Sequence, residues 1–464
     1  PMDGSSYYDP IDIKGLGKVI AWSTKSGYQD SEKTEYDVRY YADDNHAETS
    51  GGGLLEKTFD WDSTLPKRVE TFRIEGLLND SDYRYILTMD SLRYLDIEKV
   101  NDAHIPEGAF QDSKLISISL PSDLAEYGNG IFSGASCLSS VKWNSRTQNM
   151  DNRVTDCLAN PNALVYVPSD IDVAQYHALN VVTDGRATSV ILNYGFPYYA
   201  AWDVRADNVS MTREFRQETG IGVCQGWETV VLPFSPTLIT HEMNGETTPF
   251  AAWDGDTQGK KPFWLYTSTT EGWEKASEIE ACVPYIISMP NNSDYVDNFN
   301  LAGRITFSAS DVDLGPDSSV AISTPWMERT EFEGTFMPVA EKAILTLNVA
   351  DNLGEYLPGS TFVPNDYAIP FSAYVKDSIG KKAMPVFGDW NGVITPTLSD
   401  DGLAVETPAP GVLSVSTSRE RKVTVTTTTG VVIRTLHLNA GETAVLDGFT
   451  RDIYIVGGVK VIVR

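Results

Sequence analysis

Cysteine is scarce in this chain of 464 residues, with only Cys137, Cys157, Cys224 and Cys282. No two of them form a Cys-x-x-Cys pair, which argues against zinc-ribbon and thioredoxin-type sites. Cys224 and Cys282 fall in one later region, where they either bridge or remain buried free thiols. The histidines, His46, His104, His177, His241 and His437, are far apart, and no His-Glu-x-x-His spacing occurs. A Gly-x-Ser-x-Gly elbow, a P-loop and a Gly-x-Gly-x-x-Gly fingerprint are also absent. Positive charge is thin: 36 Lys and Arg against 64 Asp and Glu leave a net charge of −28. A field of that sign repels nucleic acid and anionic lipid, which excludes both as partners. Long apolar runs are missing too. Ala343–Leu347 and Val283–Ile287 are strand-sized, far short of the roughly 20 residues of a membrane helix.

The chain is long enough for two to four domains. Its 22 Tyr, 10 Trp and 17 Phe, with many Thr, Val and Gly, favour strands over helices. The expected fold class is therefore mainly β and multidomain.

A periodic pattern stands out from this background. The trios Val69/Phe72/Ile74, Leu92/Leu95/Ile97, Leu115/Ile118/Leu120 and Leu138/Val141/Trp143 each begin 23 residues after the last. A period of 20 to 29 residues with this L-x-x-L-x-L spacing is the mark of leucine-rich repeats. Residues two apart in a strand share a face, so Leu95 and Ile97 point the same way. One such strand cannot bury its apolar face alone, and parallel stacking makes a continuous core. Phe110 and Phe132, in the return limbs, are expected to plug that core from the convex side. Leu164/Val167, 26 residues after Leu138, reads as a weaker fifth unit, and Leu54–Phe59 as an incomplete cap. A short solenoid is expected over 51–190.

The run Leu115-Ile-Ser-Ile-Ser-Leu-Pro121, preceded by Ile105-Pro-Glu-Gly-Ala-Phe110, resembles the BspA-like leucine-rich repeats of surface proteins from Gram-negative gut and oral anaerobes. The resemblance implies a cell-surface or secreted, outer-membrane location, lipoprotein attachment and a binding role. Pro1-Met-Asp-Gly-Ser-Ser6 has neither a charged start nor an apolar run, which fits a cytosolic chain or one lacking its signal peptide.

Residues 1–50 read as a strand-rich N-terminal segment. Over 191–394, short strands alternate with turn residues, which predicts a β-sandwich-like domain. Tyr194–Tyr199, Trp227–Phe234, Pro284–Ile287 and Pro370–Tyr374 resemble a β domain that follows such repeats in related surface proteins. Residues 395–410, with Thr407-Pro-Ala-Pro410, read as a stiff linker. Residues 411–464 read as a small C-terminal β domain with a Gly457-Gly458 hairpin turn. This tail resembles secretion-sorting domains, although those carry Gly-Ile-Tyr where this chain has Asp452-Ile453-Tyr454.

Candidate chemistry is sparse. Trp253-Asp-Gly-Asp256 and Asp389-Trp-Asn-Gly392 are either sugar-stacking loops or turn anchors. Asp311, Asp313 and Asp317 supply oxygen ligands for calcium without the full loop pattern. The better surface is the concave side of the solenoid sheet, where Thr71, Arg73, Glu75, Tyr94, Asp96, Glu98, Ser117, Ser119, Ser140, Lys142 and Asn144 alternate with the buried positions. The ligand-binding candidates are Thr71, Arg73, Tyr94, Asp96, Ser117, Ser119, Ser140 and Lys142. The expected function is non-catalytic binding of a host or matrix protein, or of a glycan, by a monomer with no cofactor and no metal. A spacer role and a glycan-active enzyme using paired carboxylates are the alternatives.

Overall fold

The structure is a computed structural model. It describes residues 16–463 apart from 61, 147, 149, 170–179, 216–225, 244–245, 254–259, 290–303, 327–329, 342–343, 349–355, 378–382, 388–396, 399–402, 410, 428–430, 451 and 458. The fold is mainly β. The chain divides into two compact units, Pro1–Val209 with Ser310–Ser319, and Ser210–Ala309 with Val320–Arg464.

In the first unit the apolar trios fall on consecutive parallel strands. Thr71–Gly76 pairs with Tyr94–Asp96, which pairs with Ser117–Ser119, then Ser140–Lys142, then Leu164–Val167, then Asn180–Thr183. Phe72, Leu95, Ile118, Val141 and Val165 stand opposite one another along this stack. All five are buried in one core with Ile74, Ile97, Leu120 and Trp143. The 23-residue spacing is therefore a pairing register: a side chain on one strand faces its equivalent on the next. Each strand alone has too little apolar surface to bury, so the stack is stable only as a whole.

The first strand of the parallel stack lies inside the N-terminal segment. His46–Thr49 pairs parallel with Thr71–Gly76, and Tyr40–Ala42 closes that edge antiparallel. Gly76 adopts φ +97°, and a Cβ there would lie 1.9 Å from the Thr49 carbonyl oxygen. This close approach of two backbones leaves room for glycine only. Upstream, Gly17–Ala21 and Thr34–Val38 form a separate antiparallel hairpin.

The return limbs carry the aromatic plugs. Phe110 and Phe132 are fully buried and stack with centroids 5.8 Å apart, and Tyr83 meets Phe110 edge-on at 5.9 Å. Phe110 and Phe132 lie at different distances from their following strands, yet hydrogen bonds from Phe110 N to Ile131 O and from Asp112 N to Ser133 O bring the limbs into step. One return limb contains a short helix, Asp80–Ile86, capped by Asn79. The buried Asp82 carboxylate accepts the backbone N–H groups of Gly53, Leu55 and Asn79 at 2.6, 3.0 and 2.8 Å. It thereby ties the 53–55 loop to the helix start with charge-assisted bonds.

Two expectations are corrected. Leu164, read as opening a weaker fifth unit with Val167, pairs with Ser140 rather than Leu138, so it stands in the outward row and not in the position of Leu138. Residues 403–409, read as part of a linker, form a strand paired with Val412–Thr417. The prolines mislead because the register shifts between Glu406 and Ala409, and an irregularity of this kind admits a proline within a sheet.

In the second unit two antiparallel sheets share one core. One contains Glu228–Val230, Tyr285–Ser288, Lys261–Thr269 and Gly272–Lys275. The other runs in the order Ser323–Trp326, Thr330–Thr335, Ser372–Asp377, Ile344–Leu347, Thr361–Asn365 and Met384–Pro385. Trp227, Tyr266, Trp273 and Ile286 pack against Trp326, Phe332, Phe362 and Val375 between them. Further along, two four-stranded sheets enclose Leu403, Val415, Val425, Tyr454 and Val463. The Asp452–Val456 and Val459–Val463 strands pair so that Val456 faces Val459 across Gly457-Gly458, as the sequence predicts.

Candidate functional site

Strand alternation places every sequence-derived candidate on the outward side of the parallel stack. Thr71, Tyr94, Ser117, Ser140 and Leu164 form one row across it. His46, Arg73, Asp96, Ser119, Lys142 and Tyr166 form a second. The candidates are thus brought together, but their environments differ sharply. Thr71 and Arg73 are exposed, whereas Tyr94, Asp96 and Lys142 are half-buried. Ser117, Ser119 and Ser140 are 7, 5 and 0 % exposed, so the expected open serine surface does not exist.

The chain itself covers that part of the sheet. A strap over residues 193–202 crosses the outward side, held by polar side chains. Ser140 Oγ donates to Tyr199 O at 2.6 Å and accepts Ala201 N at 3.0 Å. Asn160 Nδ2 donates to Pro197 O at 3.0 Å. Asn162 Nδ2 donates to Asn193 O and Phe196 O, and its Oδ1 accepts Asn193 N at 2.6 Å. Tyr166 donates its hydroxyl to Trp202 O at 2.8 Å. Asn180 binds Ile191 through both its N–H and its C=O, just before the strap. These three asparagines are buried, and each satisfies backbone groups that strap and sheet would otherwise leave unpaired.

The strap also contributes rings. Tyr199 packs on Tyr94 with centroids 5.5 Å apart, and Trp202 meets Tyr166 edge-on at 5.1 Å. Lys142 Nζ lies 5.4 Å from the centre of the Trp202 ring and 3.8 Å from Glu98. Sequence reasoning found only Tyr94 on this face. The aromatic residues Tyr199 and Trp202 stand about 60 residues downstream of the Ser140–Lys142 strand, and only the Tyr194–Tyr199 motif hinted at them.

On the side left open one carboxylate is shared by two cations and a histidine. Glu75 lies 3.2 Å from Arg73, 3.2 Å from Lys99 and 3.9 Å from His46. Burial, and secondarily the neighbouring Tyr199, push the Tyr94 hydroxyl upward, so it remains a neutral donor at physiological pH.

Comparison with protein-family models, with curated proteins and with solved structures finds no match.

The other candidates do not assemble into a centre. Asp311 and Asp313 are each 2.6 Å from Arg205; a guanidinium already engages both carboxylates read as calcium ligands. Asp317 lies apart from that pair, in a short turn. Among the described residues no three His, Cys, Asp or Glu side chains converge as a metal site. His104 sits 3.7 Å from both Asp102 and Glu126, while His241 is buried beside Phe250. Trp253 is exposed with Lys275 6.0 Å from its ring centre, and the acidic parts of both tryptophan loops lie outside the described residues. No helix among the described residues is long and apolar enough to cross a membrane.

Cys224 also lies outside the described residues, as does His177. Cys282 is buried, and burial pushes its thiol up to about 11. Because the thiolate is the reactive form, native protein at pH 8 should be alkylated at Cys282 about a hundredfold more slowly than unfolded protein. Mass-spectrometric timing of iodoacetamide labelling at this residue measures the ratio.

Proposed function

We propose that this chain is a BspA-like leucine-rich-repeat surface protein that binds an extracellular partner, without catalysis, through the outward side of its parallel stack. Its partner is a host or matrix protein or a glycan. The location is the cell surface, exported and lipid-anchored, and the working form is a monomer. The second unit supplies a β-sandwich and a small terminal β domain.

The observation that carries this reading is the register. It places His46, Arg73, Asp96, Ser119 and Lys142 in one straight row on adjacent strands. Repeat proteins turn such rows into extended recognition surfaces. The strap narrows the free part to the strands carrying His46, Arg73 and Asp96, with Tyr94 at its border. The same covering favours a second reading, a spacer, because it removes part of the area that a binding protein would use.

Charge reversal tests the choice. Arg73 is exposed, so Arg73→Glu should leave melting temperature within a degree or two. Saturable binding to a panel of immobilised matrix proteins and neutral polysaccharides is expected for the parent chain, weakened at least tenfold in the variant. A parent chain that binds neither panel, or binding indifferent to Arg73→Glu, discards the recognition role of this face.

A further inference from the structure

The open row ends against an aromatic group that is neither core nor free surface. Tyr94, Tyr199 and Trp202 are all half-buried. The peptide of Tyr199 is anchored through Ser140, and that of Trp202 through Tyr166. The backbone that carries Tyr199 and Trp202 is thus held in place before any ligand arrives. Such preorganisation saves the ordering cost that weakens binding to mobile segments.

The surroundings select among ligand classes. Lys142 is engaged by Glu98 and the face of Trp202, and Arg73 by Glu75. The cations at the shelf are therefore each held by a carboxylate, Arg73 sharing Glu75 with Lys99, and the net charge of −28 opposes an anionic ligand. A protein partner would need about 800 Å² of its own surface for a standard interface, with bulky anchors in deep pockets. Two half-buried tyrosine rings packed on each other are no such set of anchors. They fit a compact ligand with an apolar face and a rim of hydroxyls, which rests its C–H face on the rings and hydrogen-bonds at its edge. Asp96 lies beside Arg73 in the adjoining row, one strand from Ser119. Ser119 Oγ in turn accepts Asn144 Nδ2 at 2.9 Å.

We propose that Tyr94 and Tyr199, packed on one another, form a binding shelf for a neutral glycan, with Asp96 and Arg73 supplying hydrogen bonds at its open edge. The proposal rests on the surface-binding reading above and narrows its ligand to one class.

Affinity electrophoresis of the full chain through gels containing a β-glucan, a mannan, a xylan or a galactan tests it. At least one should retard the parent chain. Retardation should weaken at least tenfold in Tyr94→Ala and Tyr199→Ala and persist in Tyr94→Phe, which keeps the ring. Should an alanine variant fail to fold, Asp96→Asn provides the second arm. Its amide oxygen can still accept the Glu98 N–H that Asp96 now binds at 3.0 Å, so melting should hold while affinity drops at least threefold. No retardation by any of the four polysaccharides overturns the glycan assignment, as does equal retardation of parent, Tyr94→Ala and Asp96→Asn. If Arg73→Glu still abolishes binding to an immobilised matrix protein in that case, the surface-binding reading survives and only the ligand class is wrong.

Discussion

Asn162→Ala should destabilise the first unit by about 3 kcal/mol or more. Asn162 is fully buried and makes three hydrogen bonds to strap backbone, two through its amide N–H groups and one through its carbonyl. Truncation strands the N–H of Asn193 and the C=O of Phe196, while the C=O of Asn193 keeps the Phe196 N–H at 3.3 Å. Each unpaired buried group costs about 1–3 kcal/mol, reduced where water can enter the vacated space. Asn162→Asp keeps the acceptor but sets a buried carboxylate against the carbonyl oxygens of Asn193 and Phe196, so it should destabilise at least as much as alanine. Urea unfolding gives the stability change, and limited proteolysis over residues 193–202 gives its location. A loss below 1 kcal/mol, with the strap still protected, would mean that Asn160, Ser140 and Tyr166 hold this segment unaided.

That strap marks the limit of what the sequence discloses about the site. The parallel strands were legible because burial acts on a period: Phe72, Leu95, Ile118 and Val141 recur at the interval that puts them opposite one another. Alternation then fixed the direction of Arg73, Asp96 and Lys142. Burial of Ser117 and Ser140 was not legible. It depends on residues 193–202 returning over the sheet, and such a return has no period. The signal that did exist was chemical. Asn160, Asn162 and Asn180 cluster beside apolar strands, and buried asparagines of this kind announce backbone that lacks sheet partners. Leu164 shows the same effect from the opposite side. It looked like the start of another trio because it is apolar, but it is apolar because the outward face is covered there.

The second unit was legible strand by strand and opaque in its pairing. Lys261–Thr269, Tyr285–Ser288 and Ser372–Asp377 match runs rich in aromatic and β-branched residues, since half-buried sheet surfaces favour those types. Their order, with Ile344–Leu347 beside Ser372–Asp377 instead of following the chain, depends on contacts between distant residues. Pro408 shows local chemistry outweighed by its surroundings: the Pro-Ala-Pro stretch looks extended and unpaired, yet the strand tolerates it at an irregular point of the register.

Replacement of Arg213 should produce a loss of comparable or greater size, about 3–5 kcal/mol for Arg213→Met. In the strand Val204–Glu214 the inward positions include Val209 and Met211, and Arg213 continues that series. An arginine in an inward phase must be paired. Its Nη2 bonds the Glu228 carboxylate closely, its Nη1 donates to Thr229 O at 2.6 Å, and its guanidinium lies 4.5 Å from the centre of the Phe215 ring. Removing the cation alone leaves the buried Glu228 carboxylate without its guanidinium, which costs far more than the pair contributes. The double variant Arg213→Met/Glu228→Leu removes both charges and should recover most of the loss. A deficit of about 1 kcal/mol should remain, because Thr229 O still lacks its donor. Denaturant curves of the parent, Arg213→Met, Glu228→Leu and the double variant complete the cycle. If the double variant is as unstable as Arg213→Met alone, the cost lies in lost packing on Phe215 and not in the stranded charge.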